Sequence, residues 1–84
     1  MTKEDIRGAI EKSLTAVAPE IDIGTLAPDT AFRQEFDLDS MDVLNIVIGL
    51  HATLGIEVPE ADYGRLATLN SAVEYLSSRL GVTA

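Results

Sequence analysis

The sequence predicts an all-α fold: a small four-helix bundle of three main helices and one short helix, with a long loop between the first and the second. Three observations predict it. Apolar residues recur at helical spacing in three separate segments, and each segment opens or closes on residues that start or stop helices. Hydrophobic residues make up 46% of the chain and aromatics only 5%, which fits one mostly aliphatic core. At 84 residues the chain reads as a single domain spanning 1–84.

The first segment places Ile6, Ile10, Leu14 and Val17 on one side of a helical wheel, with Lys3, Arg7, Glu11 and Lys12 elsewhere on it. Thr2 is placed to cap this helix, Asp5 stands where a capping-box acid lies, and Pro19 stops it, so it covers about residues 3–18. From Pro19 to Asp39 the periodicity dissolves around Gly24, Pro28 and Thr30. Ile21, Ile23, Leu26, Phe32, Phe36 and Leu38 are too apolar for a free linker, so this stretch reads as a packed loop with one helical turn near Ala31–Glu35.

The second helix begins at Ser40 and runs to Thr53 or Leu54, where Gly55 supplies a left-handed terminus. Val43, Ile46, Val47, Leu50 and Leu54 share one face and are assigned to the core. Met41, Leu44 and Ile48 form a second stripe, either packed under the long loop or exposed as a docking site. Pro59 favours the first turn of a short third helix reaching Tyr63 to Leu66, with Glu60 and Asp62 near its positive end. Thr68 caps a last helix carrying Leu69, Ala72, Val73, Leu76 and Leu80, which Gly81 ends. Tyr63 and Tyr75 read as packing residues.

Composition removes several functions. With no cysteine and one histidine, His51, the chain offers no disulfide, thiolate metal site, cysteine nucleophile or multi-histidine centre. Fourteen acidic residues against six basic ones give a net charge of −8, the wrong sign for nucleic acid or anionic lipid. The N-terminus lacks a signal-peptide core and no apolar stretch approaches the roughly 18 to 20 residues of a membrane span, so the chain reads as a cytoplasmic protein, expected to be a monomer. Residues 34–64 hold Glu35, Asp37, Asp39, Asp42, Glu57, Glu60 and Asp62 but no Lys or Arg, a field suited to a basic partner.

The densest cluster is Phe36-Asp37-Leu38-Asp39-Ser40-Met41-Asp42. Asp39 or Ser40 can cap the helix, with Asp42 favouring its positive end. A calcium loop starting at Asp37 fails at Met41, Asp42 and Ile48. Serine hydrolysis fails too: there is no G-x-S-x-G elbow, and His51 lies three turns, roughly 16 Å, along the same helix. Capping and modification of Ser40 by another enzyme remain open on the residues alone.

Asp39-Ser40-Met41, followed by Asp42 and an apolar helix, resembles the Asp-Ser-Leu/Met attachment motif of acyl carrier proteins. The resemblance covers nearly the whole chain: the amphipathic first helix, Asp29-Thr30-Ala31-Phe32, the motif, Gly55-Ile56-Glu57-Val58-Pro59-Glu60, then Thr68 to Leu76, in that order. It implies that a phosphopantetheinyl transferase attaches the 4′-phosphopantetheine of coenzyme A to Ser40, with Asp39 and Met41 completing the motif. The chain is then a non-catalytic carrier of acyl thioesters for acyl-transferring, ligating or condensing enzymes with basic docking patches. In that setting Met41, Leu44 and Ile48 are a docking stripe flanked by Asp42, Glu60 and Asp62, and the core face from Val43 to Leu54 shelters the acyl chain. A peptidyl or D-alanyl carrier of the same fold, and an unmodified acidic interaction module, are the alternatives. Two departures stand out. Phe36-Asp37 replaces the Leu-Gly that family members commonly carry, where Asp still tolerates a left-handed backbone. Asn45, His51, Ala52 and Thr53 occupy helix positions often acidic in fatty-acid-synthesis carriers, which implies a specialised stand-alone carrier.

Overall fold

The structure is a computed structural model that describes residues 1–82. Among these described residues four α-helices follow in order: α1 (Lys3–Val17), a single turn α2 (Phe32–Glu35), α3 (Ser40–Leu54) and α4 (Leu69–Leu80). Two 3₁₀ segments, Ile23–Thr25 and Glu60–Leu66, lie in the connections. The all-α bundle expected from the sequence is therefore what forms, and no described helix is long and apolar enough to cross a membrane.

Each long helix starts on a reciprocal four-residue cap. At α1 the Asp5 amide donates to Thr2 Oγ1 at 3.3 Å while the Thr2 amide donates to Asp5 Oδ2 at 2.9 Å. At α4, Thr68 and Ser71 exchange the same pair of bonds. The ends are equally local. Pro19 disfavours helical geometry at Ala18, which closes α1 at φ −132°, and Gly55 and Gly81 end α3 and α4 at φ 67° and 71°.

α1 packs on both α3 and α4, and α4 also carries the Glu60–Leu66 segment. Ile6, Ile10, Leu14, Leu50, Leu69 and Leu76 form the fully buried centre. The contact between α1 and α3 is close at Gly49, where an added Cβ would lie 2.8 Å from Ser13 Oγ and 3.3 Å from Ser13 Cβ.

The long loop is packed. Ile21, Phe32 and Leu38 are buried, and Ile23, Leu26 and Phe36 lean on the same core. Two backbone bonds tie it to the chain around the start of α4: the Phe32 amide donates to Ala67 O at 2.9 Å and the Asn70 amide to Pro28 O at 2.9 Å. The Ile23–Thr25 turn, absent from the sequence reading, is held by Asp22, whose side chain accepts from the Gly24 amide at 3.0 Å.

The short third helix forms where the sequence places it, in the 3₁₀ form. Glu60–Leu66 is a 3₁₀ helix, and Pro59 stands just ahead of it with extended geometry (φ −63°, ψ 148°) rather than inside its first turn. Ile56 and Val58 are buried just ahead of it and Leu66 is buried at its last position. At a rise of about 2.0 Å per residue instead of 1.5 Å, a 3₁₀ helix of this length covers about 14 Å where an α-helix covers about 10 Å.

Candidate functional site

The acidic cluster bends before it becomes helical. Asp37 adopts φ 53°, the left-handed conformation its short polar side chain tolerates, and Leu38 then turns into the core. Asp39 is the cap of α3: its Oδ1 accepts from the Asp42 amide at 2.9 Å, and Asp42 Oδ2 accepts from the Asp39 amide at 3.1 Å. Of the two candidate caps, Asp39 does the capping. Ser40 is left as the first helical residue, exposed, its side chain outside the cap. The amides of Ser40 and Met41 have no acceptor within the helix.

Ser40 stands on the wall of an apolar groove of about 510 Å³ between α3 and the Glu60–Leu66 segment. Leu38, Val43, Leu44 and Ile46 line one side, Tyr63 and Leu66 the other. Among the described residues, Arg33 and Glu60 are the only charged ones lining it. Val43 needs correction as a core residue: it is half-buried and faces this groove, whereas Ile46, Val47 and Leu50 are buried and Leu54 packs half-buried against the core.

The second stripe of α3 is exposed rather than covered by the long loop, with Met41 61%, Leu44 37% and Ile48 56% accessible. Met41 and Leu44 border the groove. Ile48 borders a second depression with His51, Pro59 and Arg79, so the stripe links two concavities. His51 itself lies on the surface, its Nδ1 3.2 Å from Ile56 O.

The acids do not form one uniform surface. Asp39 and Asp42 hold each other's amides, and Glu57 and Glu60 are exposed. Asp62, expected as a docking acid, is half-buried and accepts the Tyr75 hydroxyl at 2.7 Å. Arg79 donates from Nη1 to the Tyr75 hydroxyl at 2.6 Å and from Nη2 to Glu57 O at 3.0 Å. The guanidinium groups of Arg65 and Arg79 lie 5.5 and 5.6 Å from the Tyr75 ring centroid. Burial, reinforced by the bond to Asp62, raises the Tyr75 hydroxyl above its ordinary pKa. This relay fastens the Glu60–Leu66 wall of the groove to α4. Tyr75 is buried in the core, as a packing residue should be, and its hydroxyl adds a polar link to partners 13 residues back and one turn ahead in the chain.

Among the described residues no cluster of His, Cys, Asp or Glu is arranged to hold a metal ion. The site therefore offers a free hydroxyl at a helix start, an apolar groove beside it and an acidic surround.

Comparison with known proteins points to a family. Residues 5–76 match the family described as the phosphopantetheine attachment site. The acyl carrier protein of Lactobacillus johnsonii is 35% identical over 78 residues, covering 93% of this chain and 96% of that one. That of Lactobacillus acidophilus is 31% identical over 81 residues, covering 96% and 100%. The acyl carrier protein of Rubrobacter xylanophilus is 28% identical over 76 residues, covering 90% and 93%.

Proposed function

Since this chain belongs to the acyl carrier protein family, a non-catalytic carrier with a covalent 4′-phosphopantetheine, we propose that Ser40 is the residue to which that group is joined. The observation that carries the proposal is the division of labour at the start of α3. Asp39 takes the cap, so the Ser40 hydroxyl is exposed and spare beside the groove. The prosthetic group supplies the thiol on which acyl groups ride as thioesters, and a chain with no cysteine has no thiol of its own to compete. Membership of the family removes the unmodified interaction module.

The chain's own residues prepare the hydroxyl in three ways. The Asp39–Asp42 cap fixes the backbone around Ser40. The unbonded amides of Ser40 and Met41 and the positive end of α3 favour a phosphate there. Leu38, Val43 and Ile46 supply an apolar surface along which an acyl chain can lie out of water.

Its partners are a phosphopantetheinyl transferase and acyl-handling enzymes. We read Met41, Leu44 and Ile48, bordered by Asp42 and Glu60, as the surface those enzymes dock on, with acyl groups of fatty-acid, lipid or secondary metabolism as cargo and the carrier acting as a monomer. Asp62 contributes less to docking than its charge suggests, because Tyr75 already holds it.

Incubation with coenzyme A and a broad-specificity phosphopantetheinyl transferase tests the assignment. Intact mass should rise by one phosphopantetheine in the wild type and not at all in Ser40→Ala. A gain in Ser40→Ala would move the attachment site to another residue.

A further inference from the structure

We propose that Arg33 binds the phosphodiester formed on Ser40 and so turns the arm into the groove; this rests on Ser40 being the attachment residue. Arg33 is the only cation among the described residues that line the groove. The other arginines are occupied: Arg7 pairs with Glu11 at 3.4 Å, Arg79 is bonded to Tyr75 and Glu57, and Arg65 lies over the Tyr75 ring. Arg33 is exposed and, among the described residues, its guanidinium meets no carboxylate within 4.0 Å, not even Glu60 on the same groove.

The fold fixes where Arg33 stands. The Leu38 amide donates to Arg33 O at 3.0 Å, which closes the turn of α2 back onto the strand of chain that enters α3. Leu38 precedes Ser40 by two residues, a span of at most about 7 Å. The neighbouring Phe32 amide is anchored to Ala67 O at 2.9 Å on the far side of the groove, so α2 cannot swing away without breaking both bonds.

Charge supplies the reason for a cation there. A phosphodiester on Ser40 adds a negative charge between Asp39 and Asp42, whose carboxylates the cap holds in place. Helix amides and dipole offset only part of that repulsion, about half a charge in total. A guanidinium supplies a full unit and a planar pair of donors matched to phosphate oxygens. The shared chemistry is anion recognition, and a carboxylate at the far end of an acyl cargo is a second source of it; proximity to the chain entering α3 favours the phosphodiester.

The test uses the ¹⁵N-labelled full chain, wild type, Arg33→Gln and Arg33→Lys, each loaded with phosphopantetheine and scored by intact mass. Loading should move the Arg33 Nε–H resonance, and the ³¹P resonance should differ between wild type and Arg33→Gln. The arm's thiol should react with iodoacetamide about two- to five-fold faster in Arg33→Gln, the range of an exposed ion pair, and high salt should erase that difference. Arg33→Lys should fall between the two. An Arg33 Nε–H resonance unmoved in fully loaded protein overturns the proposal. A resonance that moves only with an ω-carboxyacyl cargo, and not with the neutral acyl group of equal length, assigns the anion to the cargo and overturns it too. Absence of any mass gain at Ser40 in the wild type, with the transferase active on a control carrier, overturns the attachment reading itself.

Discussion

Glycine-to-alanine substitution should change stability in opposite directions at two helical positions. At Gly8, on the exposed side of α1, an added Cβ meets nothing within 4 Å, so alanine brings only its better helix propensity, about 0.8–1.0 kcal/mol of stabilisation. At Gly49 the same methyl lies 2.8 Å from Ser13 Oγ and 3.3 Å from Ser13 Cβ. Carbon pairs are optimal near 3.5–4.0 Å, so α1 and α3 must part by a few tenths of an ångström, and overpacking of this kind costs about 1–3 kcal/mol. Subtracting the propensity gain leaves Gly49→Ala destabilised by about 1 kcal/mol. Urea titration followed by helical circular dichroism reads both. With a slope of about 1–2 kcal/mol/M, the midpoints should move by about 0.5–1 M, upward for Gly8→Ala and downward for Gly49→Ala. Adding Ser13→Ala to Gly49→Ala should recover part of the loss, since it removes the 2.8 Å contact and leaves the 3.3 Å one. Equal stabilisation at both glycines would show that α1 and α3 do not approach as described.

Three further outcomes follow from the geometry. Asp39→Ala should cost about 1–2 kcal/mol by removing the cap of α3, whereas Ser40→Ala should leave the denaturation midpoint nearly unchanged; the reverse order would return the capping role to the serine. Leu50→Ala should cost about 2–5 kcal/mol as a cavity in the fully buried centre, while Ile48→Asp should cost under about 1 kcal/mol and instead weaken capture by the transferase, measured by the KM for the carrier. Tyr75 holds its proton more tightly folded than unfolded, so its contribution is fully present below about pH 10 and is lost as pH rises from there through the raised folded value. Stability measured between pH 9 and 12 should therefore fall more steeply in the wild type than in Tyr75→Phe, and parallel curves would refute the relay.

What the sequence made legible is what lies within about four residues of its cause. Thr2 with Asp5, Thr68 at α4, Gly55 and Gly81 announce helix limits because each acts on amides or carbonyls of its own turn. The two faces of α3 were readable for the same reason, since helical periodicity alone separates Ile46, Val47 and Leu50 from Met41, Leu44 and Ile48. Pairings across the fold were not. Tyr75 reaches Asp62 over 13 residues and Arg79 reaches Glu57 over 22, and no local pattern distinguishes Asp62 from an exposed acid. Val43 likewise faces a groove that exists only once the Glu60–Leu66 segment is in place.

Three helix starts that each close their own pair of hydrogen bonds within four residues also bear on how the chain reaches its fold. Registration of α1, α3 and α4 along the sequence requires no distant contact, so the conformational search reduces to docking rods whose ends are already set. Folding dominated by such nearby encounters belongs to the microsecond-to-millisecond regime of helical bundles. The contacts that span most of the chain are those of α1 with α4, so bringing these two rods together carries the largest loop-closure cost of the fold.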